Sequence, residues 1–207
     1  MLKILGRVSS INVRKVLWCC EELGLGYERE DWGAGFRSTQ EPEFLTLNPN
    51  AQVPVLVDDG FVLWESNSIL RYLANAHGGE WLYPADPQRR ARIDQWMDWQ
   101  ATDFNGAWSY VFPALMRNTP PNPDPQRLAA GIDAWGRCIA TLDRRLEETG
   151  AYVAGQDFSL ADIPMALSVH RWRETPVPHG PTPVLDGYFE RLAVRAGFRL
   201  YCSSNTP

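Results

Sequence analysis

The run Gln52-Val53-Pro54-Val55-Leu56, continued through Asp58-Asp59-Gly60 into Phe61-Val62-Leu63-Trp64-Glu65-Ser66, leaves few folds open. Proline cannot donate a ladder hydrogen bond from inside a sheet, so Pro54 starts a strand. The Asp-Asp-Gly turn then returns the chain as the second arm of a hairpin over 54–64. Val53-Pro54 is a bond at which a cis peptide is accessible. In that form the amide and carbonyl of Val53 point out of the fold, ready for a ligand's own backbone. Ser66 reads as the N-cap of a helix over 66–77, whose free N–H groups and positive dipole end favour a carboxylate. A hairpin running into an ordinary capped helix accounts for the same residues. A peptide-like ligand with a terminal carboxylate would suit both features.

Upstream, residues 2–5 form a short strand ending at Gly6. From Asn12, the apolar positions Val13, Val16, Leu17, Cys20 and Leu23 recur at helical spacing, and Gly24 closes that helix. A second strand over 27–32 after so short a return implies a parallel pair with a right-handed crossover. Residues 33–51 are loop-rich, broken by Pro42 and Asn48-Pro49-Asn50, with room for one short helix. The order is therefore β-α-β followed by β-β-α.

Gly78-Gly79, Pro84 and Pro87 mark a linker, beyond which strand signals stop. Ile93, Trp96, Met97, Phe104, Ala107, Trp108, Val111 and Leu115 fit one helix over 87–117, broken by the proline run at 119–125. Leu128, Ile132, Trp135, Ile139, Leu142 and Leu146 alternate steps of four and three, an amphipathic helix ended by Gly150. Ser159-Leu160-Ala161-Asp162 is a capping box opening a helix over 159–173, with Pro164 tolerated in its first turns. A proline-dense loop leads to a last helix around 184–195, and 203–207 reads as a frayed tail.

Lys and Arg number 20 against 25 Asp and Glu, a net charge of −5, and no basic stripe suggests nucleic acid. No apolar run approaches the ~20 residues of a membrane span. The chain enters its first strand without a signal peptide's apolar region, so the cytosol is the expected compartment. Cys19, Cys20, Cys138 and Cys202 have neither disulfide-framework nor metal-ligand spacing, and Cys19 and Cys20 read as one buried and one semi-buried thiol. His77, His170 and His179 are too scattered for a metal site.

Gly6-Arg7-Val8-Ser9-Ser10-Ile11-Asn12-Val13 places two serines and an asparagine where the first strand hands over to the first helix. Capping by Ser10 or Asn12 is one reading. Beside the proline-started strand, the hairpin and Glu65-Ser66, the segment resembles the Ser-x-Asn-Val segment of the cytosolic glutathione S-transferase family, of the serine type and phi/theta-like bacterial kind. The resemblance implies an α/β plus all-α chain. A thioredoxin-like N-terminal domain over 1–78 would bind glutathione, and an all-helical C-terminal domain over 87–207 would form the electrophile site.

By that register Ser10 is the catalytic serine, Ser9 the fallback and Asn12 a second donor to the same sulfur. Ser10 would donate a hydrogen bond to the glutathione sulfur and never attack. Val53 would pair its backbone with the cysteinyl part. Glu65 would meet the γ-glutamyl amino group and Ser66 the γ-glutamyl carboxylate, with Gln52 a further polar contact. Arg37 is the candidate cation for the glycyl carboxylate. Trp108, Tyr110, Phe112 and Arg117 are available to line the electrophile site, with Trp172 approaching. The plainer reading makes most of these aromatics core, and Arg117 a partner of terminal carbonyls. An Arg117 facing the cleft would favour an anionic electrophile.

The related maleylacetoacetate isomerases carry a cysteine where Ile11 stands, which counts against that reaction. No cysteine lies near position 10, which counts against disulfide chemistry through a protein thiol. The resemblance thus implies a transferase adding the glutathione thiolate to a small electrophile, with glutathione as co-substrate, no cofactor or metal, and a homodimeric assembly. A glutathione-dependent dehalogenase or isomerase shares the site, and a non-catalytic transferase-like binding module is the third reading.

Overall fold

The structure, a computed structural model, describes residues 1–202; the tail expected over 203–207 lies outside the described residues. Strand β1 (Leu2–Leu5) pairs in parallel with β2 (Tyr27–Glu30) and antiparallel with β3 (Val55–Asp58). Strand β4 (Phe61–Trp64) closes the hairpin on β3, giving the order β2-β1-β3-β4. Helix α1 (Ile11–Leu23) makes the crossover between the parallel strands, and α2 (Pro42–Leu47) is the short helix of the expected loop. Helix α3 (Ser66–Ala76) follows the hairpin and packs on α1.

The two faces of the sheet are covered unequally. Leu5, Trp32, Phe44 and Val55 form a small core beneath α2. On the other face Leu2, Ile4 and Leu56 meet Val13, Val16 and Leu17 of α1 and Ile69, Leu70 and Leu73 of α3. That larger core runs on without a break to Trp135, Leu167 and Tyr188 in the helical half. Helix α1 is consequently buried on every side: Arg14, Lys15, Trp18, Cys19 and Cys20 join its expected apolar stripe. Both adjacent cysteines are fully buried rather than one only, because helices cover α1 on the flank a lone sheet would leave open. Burial pushes both thiols up, Cys20 to about 12, so neither is a nucleophile at neutral pH.

The helix expected over 87–117 is three pieces. Helix α4 (Pro87–Trp99) widens into a π turn at Gln100–Phe104, continues as α5 (Asn105–Trp108), and restarts as α6 (Val111–Arg117). Pro113 explains the restart, since it removes one helical donor and its ring crowds the preceding turn. The π turn aims the fully buried Gln100 inward. Its Nε2 donates to Asn105 Oδ1 at 2.9 Å and Ser168 Oγ at 2.8 Å. Helix α7 (Pro125–Thr149) ends at Gly150 in the left-handed region (φ 67°), as its pattern predicts.

Helix α8 (Asp162–Glu174) begins three residues later than expected, yet the capping box exists. Asp162 Oδ2 accepts from the Ser159 amide at 2.8 Å and hydroxyl at 3.2 Å, while Oδ1 accepts from the Val153 amide at 3.0 Å and Tyr188 Oη at 3.0 Å. Helix α9 (Pro183–Leu192) is followed by a second short helix, α10 (Ala196–Tyr201), absent from the sequence reading. Helix α10 lies against α1 because residue 197 is glycine: a Cβ there would sit 2.0 Å from Trp18 Cδ1. Among the described residues no helix is long and apolar enough to cross a membrane.

Candidate active site

A small polar cleft opens where the first turns of α1 and α3 meet the segment entering β3. Asn12, Asn48, Asn50, Gln52, Val53, Pro54, Glu65 and Ser66 line it. Four local features build it. The Val53-Pro54 peptide is cis. Among the described residues, neither the amide nor the carbonyl of Val53 has a hydrogen-bond partner. Asn48 ties the preceding loop together: Nδ2 donates to the Gln52 carbonyl at 2.7 Å, and Oδ1 accepts from the Asn50 amide at 3.0 Å. Glu65 holds a φ of 72°, a conformation costing a non-glycine residue roughly 1–3 kcal/mol.

That conformation revises the expected cap. Glu65, not Ser66, occupies the N-cap position of α3, and Ser66 is the first helical residue. Ser66 is buried, and its Oγ donates to Asn12 Oδ1 at 3.4 Å, joining the starts of α3 and α1. The neighbouring Asn67 anchors α3 to the helical half, its Nδ2 donating to the Met97 carbonyl at 2.9 Å.

At the start of α1 the two serines differ. Ser10 occupies the N-cap position, and its carbonyl accepts from the Arg14 amide at 3.0 Å. Its hydroxyl makes no capping bond, so the usual structural use of a serine there is not taken up. Ser9 Oγ accepts from Arg7 Nε at 3.0 Å. Neither serine is among the cleft-lining residues, although Asn12, two positions beyond Ser10, is.

Arg37 stands apart from the cleft. It pairs with Glu41 at 2.9 Å and Glu43 at 2.6 Å and stacks over Trp32 at 3.9 Å. The electrophile candidates do cluster. Trp108 and Phe112 meet edge to face with centroids 5.9 Å apart, and Arg117 lies 4.9 Å above the Phe112 ring. Phe112 is buried, Trp108 half-buried and Arg117 exposed. Tyr110 turns away, its Oη accepting from the Asp124 amide at 2.8 Å while Arg127 stacks on its ring at 4.1 Å. Trp172 is buried and packs on His179 with centroids 4.4 Å apart.

Sequence reasoning missed three participants. Asn48 and Asn50 read only as breakers, although asparagines flanking a loop proline are apt to bridge backbone groups. Lys15 was unremarked because helical periodicity assigns it no face. In the structure it is fully buried beneath the cleft, its Nζ donating to Gln100 Oε1 at 3.1 Å. Burial and the Arg171 charge push its ammonium down to about 7, with Glu65 opposing the shift. Among the described residues no group of His, Cys, Asp and Glu is placed to hold a metal ion.

Residues 1–75 match a family model described as glutathione S-transferase, N-terminal domain. Glutathione S-transferase GstB of Escherichia coli K12 is 34% identical over 201 residues, 96% of each chain. Glutathione S-transferase D6 of Drosophila melanogaster is 31% identical over 163 residues, 77% of this chain and 72% of the relative. Among solved structures, the theta class glutathione S-transferase of Xanthomonas axonopodis pv. citri with glutathione bound superposes with a TM-score of 0.90. It is 37% identical, covering 98% of this chain and 97% of that one.

Proposed function

The chain belongs to the glutathione S-transferase family, and from that premise we propose that Ser10 holds the glutathione sulfur as a thiolate for attack on a small electrophile. Activity of the glutathione S-transferase kind and the thioredoxin-like plus helical fold come with the family. The donor, the electrophile and the division of labour along the chain are this reading's own. Residues 1–78 hold glutathione and residues 87–207 supply the facing wall, in a cytosolic homodimer.

The observation that carries the reading is the Ser10 hydroxyl, which stands at the positive end of α1 and does not cap it. Ser9 lies one residue before that N-cap position, where its Oγ accepts from Arg7 Nε. A free thiol titrates near ~8.5 and is mostly protonated at neutral pH. A hydroxyl donor and a helix N-terminus both stabilise the charged form, and sites of this kind lower a thiol's value by about one to several pH units. The proton leaves to solvent, so no general base is needed. The thiolate lone pair then forms the C–S bond, while a leaving group departs with its own electron pair or an activated double bond takes up a proton.

Asn12 suits the role of second donor because its Oδ1 already accepts from Ser66, leaving the amide Nδ2 for the sulfur. The unpaired amide and carbonyl of Val53 suit the cysteinyl backbone. Ser66 and the first N–H groups of α3 suit the γ-glutamyl carboxylate, and Glu65 its amino group, with Gln52 alongside. Arg37 reaches the glycyl carboxylate only by leaving Glu41 and Glu43.

Ultraviolet absorbance of the thiolate tests the assignment. Titrating glutathione bound to the intact protein should give an apparent thiol pKa that rises by about one pH unit in Ser10→Ala, as expected for one hydrogen bond to a charged group. An unchanged value in Ser10→Ala, with loss of the thiolate band in Asn12→Ala, would move the role to Asn12.

A further inference from the structure

Two cations near the proposed sulfur site are left unused by the thiolate chemistry. Arg117 ends α6 and rests on the Phe112 ring; among the described residues its guanidinium has neither a carboxylate partner nor a hydrogen bond. Arg7 follows β1 and gives its Nε–H to Ser9, again without a carboxylate partner among the described residues. Several other arginines of this chain do pair with acids, as Arg29 with Asp31, Arg71 with Asp94 and Asp98, and Arg195 with Glu22 show.

Arg7, from the first half of the molecule, is near enough for its charge to act on Arg117 in the second. Although Arg117 as a whole is exposed, partial burial of its guanidinium, and then the Arg7 charge, hold it below the usual range, and no acidic group offsets them. Arg171 adds to the positive field, lying 4.1 Å above Phe112 and 4.5 Å above Trp108. The Trp108 indole N–H is shielded from solvent and meets no acceptor. Around the Phe112 and Trp108 rings there are thus Arg117, without an acid, and one N–H without an acceptor, with the charge of Arg7 in reach. Like charges brought together lower stability unless an anion joins them.

We propose that Arg7 and Arg117 recognise a carboxylate carried by the electrophile, so that the preferred substrates of this transferase are small organic acids bearing a leaving group or an activated double bond. The proposal rests on the transferase reading above. The hydrogen bond from Arg7 to Ser9 sets Arg7 beside Ser10, so an acid held between Arg7 and Arg117 presents its carbon skeleton to the sulfur. Guanidinium geometry suits a carboxylate through paired N–H donors. The other carboxylate available is the glycyl end of glutathione itself, and the experiment separates the two.

The assay uses chloronitrobenzoate and its methyl ester, from both of which the glutathione thiolate displaces chloride. Each kcat/KM is divided by the uncatalysed rate constant with glutathione, which removes the difference in ring activation. The normalised acid-to-ester ratio should exceed one in the native protein and fall about tenfold in Arg117→Gln and in Arg7→Gln, the size of one charge-assisted contact. In Arg117→Lys, which keeps the charge, the ratio should stay between those of the native protein and Arg117→Gln. It should also fall as salt rises. A ratio that does not change in either glutamine variant overturns the proposal. An unchanged ratio with a raised glutathione KM against the ester assigns the arginines to the glycyl carboxylate, and so overturns it as well. Failure of native protein to form the thiolate band at all would instead remove the transferase reading on which the proposal stands. A native protein that forms the band but prefers the ester removes this proposal alone.

Discussion

Lys15 offers a direct test of how the buried interior under the cleft is balanced. Its ammonium lies wholly inside the fold, with Gln100 Oε1 as its hydrogen-bond partner. A fall from the ordinary 10.5 to about 7 corresponds to about 5 kcal/mol of differential stability between charged and neutral forms. The folded value lies below the unfolded one, so the unfolded chain binds the extra proton between about pH 7 and about pH 10, and stability rises with pH across that window. Below it, both states are charged and the fold carries the full cost of burying the ammonium. Between about pH 6 and about pH 9.5 this one group should return about 3 kcal/mol. Lys15→Met keeps the length of the side chain and removes the titration, while leaving Gln100 Oε1 without its donor at a pH-independent cost of about 1–3 kcal/mol. Urea unfolding of both proteins at fixed concentration across that range reads the difference directly. The native curve should climb relative to the variant by about 3 kcal/mol, with the variant favoured at the acid end. Parallel curves would refute the reasoning, because they would mean the buried ammonium stays charged throughout, as it is in the unfolded chain.

Two further perturbations separate folding from binding. Asp162→Ala removes the acceptor of the Val153 and Ser159 amides and of Tyr188 Oη, all buried; it should destabilise by roughly 3 kcal/mol or more in a urea melt. Glu65→Gly relaxes the φ of 72° and should leave stability unchanged or raised by about 1 kcal/mol, while glutathione affinity measured by calorimetry should fall at least about tenfold. Destabilisation in that variant would assign Glu65 to the fold instead of the ligand.

Much of this architecture is legible before any coordinates. The hairpin, the proline that starts it and the glycines closing α1 and α7 follow from steric rules acting over a few residues. The Ser159–Asp162 box also appears as expected, because its partners are three residues apart. Boundaries shift where a local rule competes with a neighbour. The cap of α3 moved to Glu65 once the chain took up a positive φ there. The long helix broke at Pro113 and widened at Gln100, whose amide is drawn inward by Lys15 and Ser168.

What local rules do not contain is the meeting of distant residues. Periodicity assigns α1 one apolar face, whereas packing of α3, α8 and α10 around it buries Arg14 and Lys15 as well. Helix α10 depends on the absence of a Cβ at residue 197 opposite Trp18. Ser66 joins Asn12 because α3 packs on α1, and the charge of Arg7 reaches Arg117 because the helical half folds back over the first strand. The motif at 52–66 and the serines at 9 and 10 can be read from order along the chain, since backbone sterics and capping act at short range. Which arginines lack an acid, and which polar side chains end up buried, depend on contacts across the fold that spacing does not encode.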